Sequence, residues 1–233
     1  ENARRRFVSD ASHELKTPLA GIRLLTDSIL QTDHMDEETT KEFVTDIGRE
    51  AERLSRITEN LLRLTRLDSG VVQQPYPVAV GPVLERVERM LTMVAQEKGV
   101  TVSGAADEDA VALATDDDVH QILYNLMENA IKYSAAEDGF VRAEAHVDGD
   151  KVVLTVSDNG IGIPNEDLPH IFDRFYRVDK MRSREVGGTG LGLSIVKDTI
   201  ENRGGTISAG HGANGVGTVF TVHLPLAERG EEA

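Results

Sequence analysis

The chain has 233 residues, which is enough for one large domain or two modest ones. It contains no cysteine, which excludes a disulfide framework, a thiolate metal site and a cysteine nucleophile. Its formal net charge of −15 argues against a general polyanion-binding surface, so we predict no nucleic-acid partner. No stretch approaches 18 consecutive apolar residues, so we expect that the chain as given does not span a membrane.

The first 72 residues have the pattern of two helices and are predicted to form an all-α hairpin. The first helix is expected over about 4–31, with Pro18 inside it. Asp36 is a candidate N-cap for the second helix, and Gly70 is a candidate C′ residue beyond its end. Residues 1–72 are therefore predicted to be one domain.

Apolar residues of the second helix recur with a heptad spacing. Ile47, Leu54 and Leu61 are seven residues apart, and Ile57 and Leu64 fill the intermediate positions of a row that Glu50 interrupts. A lone hairpin leaves much of such a wide apolar face uncovered, so we predict a homodimer whose hairpins form a four-helix bundle. The alternative is that the hairpin packs on the second half of its own chain.

Residues 73–228 have short alternating patterns that predict strands and helices, followed by a tail at 229–233. Strands are expected in three short runs and two hairpins, at 75–80, 100–105, 110–115, 140–158 and 205–224. Helices are expected at 82–98, 117–133, 165–173 and 191–203. This order predicts an α+β sandwich, a mixed sheet with helices on one face.

One predicted helix carries two asparagines on the same face. Asn125 and Asn129 are four residues apart, and asparagine is a mediocre helix former, so the pair needs a reason. An amide oxygen is a good ligand for Mg²⁺, and Lys132 lies on the adjoining face, where it could meet a phosphate. The alternative is a pair of buried amides bonded to nearby loops.

Two glycine-rich segments follow. In DNGIGIP, Asp158 closes a strand, and Gly160 and Gly162 leave room for a planar ligand, although an ordinary Asp-Gly turn has the same sequence. In GGTGLGL, three glycines precede a helix whose N-terminus could bind phosphate: Gly188, Gly190 and Gly192. Their G-x-G-x-G spacing differs from that of the Walker A and dinucleotide motifs. We predict a mobile lid over 177–190.

Taken in order, these segments resemble the boxes of sensor histidine kinases. YNLMENAIKYS, DNGIGIP, FDRFYR and GTGLGL are similar to the N, G1, F and G2 boxes of the Bergerat-type ATP-binding domain, which DNA gyrase B, HSP90 and MutL share. FVSDASHELKTPLAGI resembles the H box, which narrows the resemblance to a histidine kinase. The resemblance covers almost the whole chain.

The resemblance implies ATP and Mg²⁺ as cofactors and assigns roles by position. Asn129 would be the principal Mg²⁺ ligand, supported by Asn125. Lys132 would contact phosphate, and Tyr133 would lie beside the nucleotide. Asp158 would accept a hydrogen bond from the adenine amino group.

The same resemblance assigns roles to the glycines and to one arginine. Gly160 and Gly162 would give the adenine room, and Arg177 is a candidate for contact with the transferring phosphate. Three further glycines would close the lid and cradle the phosphates: Gly188, Gly190 and Gly192.

His13 is the candidate phosphoacceptor, because neutral imidazole is a competent nucleophile at cellular pH. Glu14 is rotated by about 100° on the helix but can still reach the imidazole, and we expect it to act as the general base. Thr17, one turn along, could align a water for regulator dephosphorylation. A zinc motif H-E-x-x-H fails because residue 17 is threonine. A solvated surface histidine is the alternative.

Pro18 removes the backbone bond to the Glu14 carbonyl, so the helix is expected to bend beside His13. The alternative is a static kink with no role in switching. A second hinge is expected after Leu67, between the two predicted domains.

The predicted function is an ATP-dependent autokinase that phosphorylates His13 and passes the phosphate to an aspartate of a response regulator, with regulator phosphatase activity also expected. The resemblance implies a homodimer and a response-regulator receiver domain as partners. It also implies a membrane-anchored whole protein with this part in the cytoplasm. Two alternatives stay open: an ATPase of the same fold that drives a conformational change, and a scaffold whose nucleotide site is dead.

Overall fold

Two long helices form the N-terminal hairpin. The computed structural model describes residues 2–32, 34–68, 73–134, 138–178 and 188–227. Helix α1 (Asn2–Gln31) packs along helix α2 (Glu37–Asp68). Helix α1 continues through Pro18, which is buried, so the prediction of one helix with an internal proline is confirmed.

Asp36 caps helix α2, as the sequence predicts. Its Oδ1 atom accepts a hydrogen bond from the Thr39 amide at 2.8 Å, and its Oδ2 atom accepts one from the Thr39 hydroxyl at 2.7 Å. These bonds satisfy one of the amide donors that the first turn of a helix leaves without a partner. Gly70 and the predicted boundary between residues 72 and 73 lie outside the described residues or at their edge.

The second half of the chain contains two sheets. Strand β1 (Tyr76–Ala79) pairs antiparallel with strand β3 (Val111–Ala114). A five-stranded sheet has the order β2, β4, β5, β7, β6, where β2 and β4 are parallel and the other pairs are antiparallel. Its strands are β2 (Val100–Ala106), β4 (Gly139–Asp148), β5 (Lys151–Asp158), β6 (Thr206–His211) and β7 (Thr218–Pro225). The predicted mixed sheet is confirmed.

Three helices cover one face of this sheet: α3 (Val80–Glu97), α4 (Asp116–Lys132) and α5 (Gly192–Asn202). Residues of β4 alternate between buried and exposed, with Val141, Ala143 and Ala145 turned to the helices. This alternation explains why the helices lie on one face, because that face of β4 carries its buried apolar side chains. The α+β sandwich is as predicted.

Residues 165–173 form turns, so the prediction of a short helix there is wrong. Asp167 accepts backbone hydrogen bonds from both His170 at 2.8 Å and Ile171 at 3.1 Å, and His170 accepts one from Asp173 at 2.8 Å. These bonds mix spacings of three and four residues, which breaks the regular ladder of an α-helix.

The hairpin also contacts the second half of the chain. Leu64 of α2 is fully buried against Leu191 and Ile195, with Phe7, Leu61 and Phe175 packed around them. At this patch the hairpin packs on the second half of its own chain, as the alternative interpretation expected, while other apolar residues of the hairpin remain exposed. In the ranges that the structure describes, no helix is long and apolar enough to cross a membrane.

Candidate active site

A cavity of about 920 Å³ lies where helices α2 and α4, the end of strand β5 and the start of α5 meet. Ten residues that the sequence assigns to the site line it: Asn125, Asn129, Lys132, Tyr133, Asp158, Gly162, Arg177, Gly188, Gly190 and Gly192. These residues come from segments up to 67 positions apart, between 125 and 192. The cavity thus joins the three motifs of the second half into one site.

The asparagine face of α4 forms one wall of the cavity. The Asn125 Nδ2 atom donates to the Gln121 carbonyl at 2.9 Å, which orients the amide. A Cβ atom on Gly192 would lie 3.0 Å from Asn125 Oδ1, so the amide oxygen lies close against the first turn of α5. Lys132 Nζ forms an ion pair with Glu128 Oε2 at 3.0 Å, so a phosphate would compete with Glu128 for this lysine.

Asp158 is a buried carboxylate at the end of β5, with 6% of its surface exposed. Its Oδ1 atom accepts hydrogen bonds from the backbone amides of Gly160 at 2.8 Å and Thr218 at 3.2 Å. Burial raises the pKa of this carboxyl, and the two amide bonds lower it in part. The bonds fix the orientation of Asp158 at the wall of the cavity.

The G1 glycines are needed for two different reasons. A Cβ atom on Gly160 would lie 2.0 Å from the Tyr133 carbonyl oxygen, so only glycine lets this loop pass the end of α4. Gly162 has a φ of +70°, which favours glycine. Gly162 lines the cavity, whereas Gly160 lies against Tyr133 outside the lining.

The F-box segment and the G2 segment hold each other. Phe175 donates its amide to the Gly190 carbonyl at 2.8 Å, and a Cβ on Gly190 would approach the Phe175 backbone to 2.8 Å. Both residues have positive φ, +64° for Phe175 and +71° for Gly190. This contact joins the two ends of the predicted lid, most of which, 179–187, lies outside the described residues.

The H-box residues do not line the cavity. His13 is exposed on α1, and the Thr17 hydroxyl donates to the His13 carbonyl at 3.2 Å. Glu14 Oε2 accepts a hydrogen bond from Arg177 Nη2 at 2.7 Å. Arg177 also lines the cavity, so this arginine connects the cavity to the residue next to His13.

Helix α2 supplies a wall of the cavity that the sequence interpretation missed. The contributing residues are Arg56, Glu59, Asn60, Leu62, Arg63 and Arg66. Asn60 Nδ2 donates to Thr189 Oγ1 at 3.4 Å, and Arg63 lies 4.0 Å from Asp118 at the start of α4. The heptad spacing of Arg56 and Arg63 was the available signal, because it places both cations on one face of α2.

The fold and the cavity are those of a helical hairpin of the phosphoacceptor type, followed by an ATPase domain of the histidine kinase type. Residues 3–70 match the family model of the His Kinase A (phospho-acceptor) domain. Residues 114–228 match the model of histidine kinase-, DNA gyrase B- and HSP90-like ATPases. The chain belongs to the sensor histidine kinase family.

Known relatives agree with this membership. Sensor histidine kinase WalK of Bacillus subtilis (strain 168) is 34% identical over 235 residues, which span 100% of this chain and 38% of WalK. The chain thus spans a little over a third of this relative. Full-length ShkA, solved in complex with AMPPNP, has a TM-score of 0.68 at 28% identity and covers 95% of this chain and 46% of ShkA.

A further solved structure shares the fold. Histidine kinase ThkA, in complex with the response regulator protein TrrA, has a TM-score of 0.75 at 22% identity. The match covers 96% of this chain and 63% of ThkA. It therefore includes both the hairpin and the second half of the chain, with strands β1–β7 and helices α3–α5, which we call the sheet domain.

Proposed function

We propose that this chain is the catalytic core of a kinase that uses Mg²⁺-ATP to phosphorylate His13 and passes the phosphoryl group to an aspartate of a response regulator. The observation that carries the proposal is the position of Arg177. This residue lines the cavity that contains the N, G1 and G2 motifs, and it also donates to Glu14 beside His13. Family membership supports both activities.

The cavity suits ATP in volume and chemistry. The second carboxylate oxygen of Asp158 accepts no hydrogen bond within the described ranges, so it is available to an adenine amino group. Gly162 leaves space beside the base, Tyr133 lies along it, and Gly160 keeps the loop tight against α4. ATP binding by the homologous domain, as in ShkA with AMPPNP, supports this assignment.

The phosphates would lie at the other end of the cavity. Gly188 and Gly190 precede α5 and Gly192 is its first residue, and the free amides at this N-terminus favour an anion. Lys132 would add a positive charge at the end of α4. Arg177 would contact the transferring phosphate, as its position between the cavity and Glu14 suggests.

Asn129 would hold Mg²⁺ through its amide oxygen, and Asn125 would support it. The described residues contain no group of three or more His, Cys, Asp or Glu side chains that could hold a metal, so phosphate oxygens would complete the coordination. Both amides line the cavity on the same face of α4, which fits this ligand type. The ion would neutralise charge on the phosphates.

Transfer needs a rearrangement, because His13 lies outside the cavity. In the transfer arrangement, the lone pair of one His13 ring nitrogen attacks the γ-phosphorus. The bond from that phosphorus to the β,γ-bridging oxygen breaks, and ADP leaves with the electron pair. Glu14 accepts the proton of the other ring nitrogen. The chain thereby stores the phosphoryl group on His13 for the receiver aspartate.

Thr17 would support the reverse chemistry on a phosphorylated regulator. Its hydroxyl donates to the His13 carbonyl, and its lone pairs remain able to accept a hydrogen bond from a water. This orientation, one turn from His13, fits a water aligned for attack on a phosphoaspartate.

A homodimer would cover the apolar residues that the hairpin leaves exposed: Val8, Leu19, Leu24, Leu30, Val44 and Leu62. Light scattering of the chain should give twice the mass of 25.4 kDa. The usual organisation of the family also leads us to infer a membrane-anchored whole protein whose catalytic core faces the cytoplasm.

The proposed kinase activity is tested by incubating the protein with Mg²⁺ and with ATP that is labelled at the γ-phosphate. We expect an acid-labile, base-stable label that His13→Gln abolishes and that His34→Gln, a control on an exposed histidine between α1 and α2, retains. Asn129→Ala should abolish labelling if it holds the metal. Label that persists in His13→Gln would overturn the phosphoacceptor assignment.

The same assay separates the alternatives. An ATPase that only changes conformation would release phosphate without labelling the wild-type chain. A dead scaffold would neither bind ATP nor acquire label. Addition of a receiver domain should remove the label from the kinase and place it on the receiver.

A further inference from the structure

Arg53 is a buried cation inside the hairpin. It is 7% exposed, and its side chain extends from α2 towards α1. Its Nη2 atom lies 3.7 Å from Glu14 Oε2, and its Nη1 atom lies 3.9 Å from Glu50 Oε2 one turn earlier on α2. A guanidinium loses its hydration when it is buried between two helices, so a specific role is needed to explain its presence.

Glu50 is a second charged residue at the contact between α1 and α2. It interrupts the apolar row of α2, and a Cβ atom on Gly21 of α1 would lie 3.8 Å from its Cγ atom. The Glu50 side chain thus lies at the contact between α1 and α2. Glu50 provides a negative charge beside the Arg53 guanidinium.

Several polar atoms near Glu14 lack a hydrogen-bond partner among the described residues. Arg53 Nε, Arg177 Nε and Glu50 Oε2 are buried and have no hydrogen-bond partner among the residues that the structure describes. The separations of 3.7 Å and 3.9 Å exceed hydrogen-bond length. Arg53 therefore lies close to Glu14 and still has an N–H group without an acceptor among the described residues.

Two arginines from different domains share one carboxylate oxygen. Arg177 Nη2 donates to Glu14 Oε2 at 2.7 Å, whereas Arg53 faces the same atom at 3.7 Å. The transfer arrangement has to bring His13 from outside the cavity to the nucleotide, and this movement changes the position of Glu14 relative to Arg177. When Arg177 leaves, Arg53 is the cation of the hairpin itself that lies within reach of Glu14.

We propose that Arg53 is a positioning residue for Glu14. Arg53 forms a hydrogen bond with the Glu14 carboxylate when Arg177 turns to the nucleotide. This inference rests on the proposed function. Closing the gap from Arg53 to Glu14 by about 1 Å would make a charge-assisted hydrogen bond. That bond keeps the Glu14 carboxylate beside His13 during transfer, while Glu50 holds the other end of the guanidinium.

The test measures His13 labelling at several ATP concentrations in the full chain. Arg53→Gln should lower kcat roughly ten- to hundredfold, the cost of a misplaced catalytic group, with the KM for ATP unchanged because Arg53 does not line the cavity. Arg49→Gln is the matched control, because Arg49 is one turn away on α2, has a 75% exposed side chain and pairs only with Asp46 among the described residues. Its kcat should equal that of the wild type.

Arg53→Lys should give an intermediate kcat, since a lysine keeps the charge but cannot contact Glu14 and Glu50 together. In a Glu14→Gln background, either Arg53 substitution should cause almost no further loss, because the group that it positions is already absent. If Arg53→Gln fails to fold, the comparison of Arg53→Lys in the two backgrounds provides the same test.

Wild-type kcat in both Arg53 variants would overturn the proposal, as would an equal loss with and without Glu14, or a loss confined to KM. These results differ from failure of the proposed function. In that case the wild-type chain itself would acquire no label on His13, and no Arg53 variant would need to be measured.

Discussion

The hairpin and the sheet domain are stabilised in different ways. The sheet domain contains a continuous core in which three helices cover one face of five strands. The hairpin buries few side chains within the described chain, among them Ala11, Ile57 and Leu64, and leaves leucines such as Leu24 and Leu30 exposed. The difference indicates that the sheet domain is stabilised by its own core, whereas the hairpin depends on contacts with other surfaces.

A core substitution should have the largest effect and should be confined to the sheet domain. Leu126 of α4 is fully buried, so Leu126→Ala is expected to cost about 2–5 kcal/mol of unfolding free energy through the lost apolar contact and the cavity left behind. Urea unfolding followed by circular dichroism measures this loss. The control is Met93→Ala, whose parent side chain is 72% exposed. Equal losses in both variants would contradict the position of Leu126 in the core.

The contact between the hairpin and the sheet domain should contribute less to stability than the core of the sheet domain. Leu64→Ala removes the buried centre of the patch against Leu191 and Ile195, at an expected cost of about 2 kcal/mol, because the domains can separate and water can fill the gap. Small-angle X-ray scattering should show a larger radius of gyration. Met93→Ala, whose parent residue is 72% exposed on α3, should leave it unchanged. An unchanged radius for Leu64→Ala would contradict docking through this patch.

A substitution in the cavity should stabilise the sheet domain while it impairs nucleotide binding. Burial raises the pKa of Asp158 in the folded protein above its unfolded value. The charged carboxylate therefore destabilises the folded state above the folded pKa, and this cost is relieved as the pH falls through that pKa. Asp158→Asn should add about 1 kcal/mol at neutral pH, with a smaller gain in acid.

Thermal unfolding from pH 8 to pH 4, with and without ATP, measures both effects of Asp158→Asn. The variant should melt higher than the wild type without nucleotide, and ATP should not raise its melting temperature further. A lower melting temperature at neutral pH would show that the two amide bonds to Asp158 outweigh its burial.

The smallest effect is expected for an exposed charge pair of the hairpin. Arg23 and Asp27 are 3.7 Å apart, with side chains 83% and 51% exposed. Arg23→Ala should change the unfolding free energy by about 0.5 kcal/mol at most, because water screens the pair. A loss several times larger in urea unfolding would show that this surface is buried in the dimer.

Local patterns predicted most of the elements. The heptads and the Asp36 cap predicted the hairpin, and Asp148-Gly149-Asp150 predicted the turn between β4 and β5, where Gly149 has a φ of +61°. The motifs of the second half predicted ten of the residues that line the cavity. These features depend on propensities and spacings within a few turns of chain, so sequence alone contains them.

Features that depend on domain contacts could not be predicted in this way. The α2 wall of the cavity, with Asn60 against Thr189, joins residues 129 positions apart. The bond from Arg177 to Glu14 spans 163 positions. The turns over 165–173 depend on hydrogen bonds that a helical pattern does not specify. Nothing in the local sequence sets which charged side chains meet when two domains pack together.

By itself, the sequence determined the kinds of chemistry available: a phosphoacceptor candidate at His13, amide ligands on α4, and glycines where a backbone must pass closely. Only the tertiary structure decided how they are arranged, with Arg177 on Glu14, Arg53 behind it and His13 outside the cavity. The physical reason is that residue type and spacing set local conformation, whereas the burial of apolar surface between domains selects which distant charges come together.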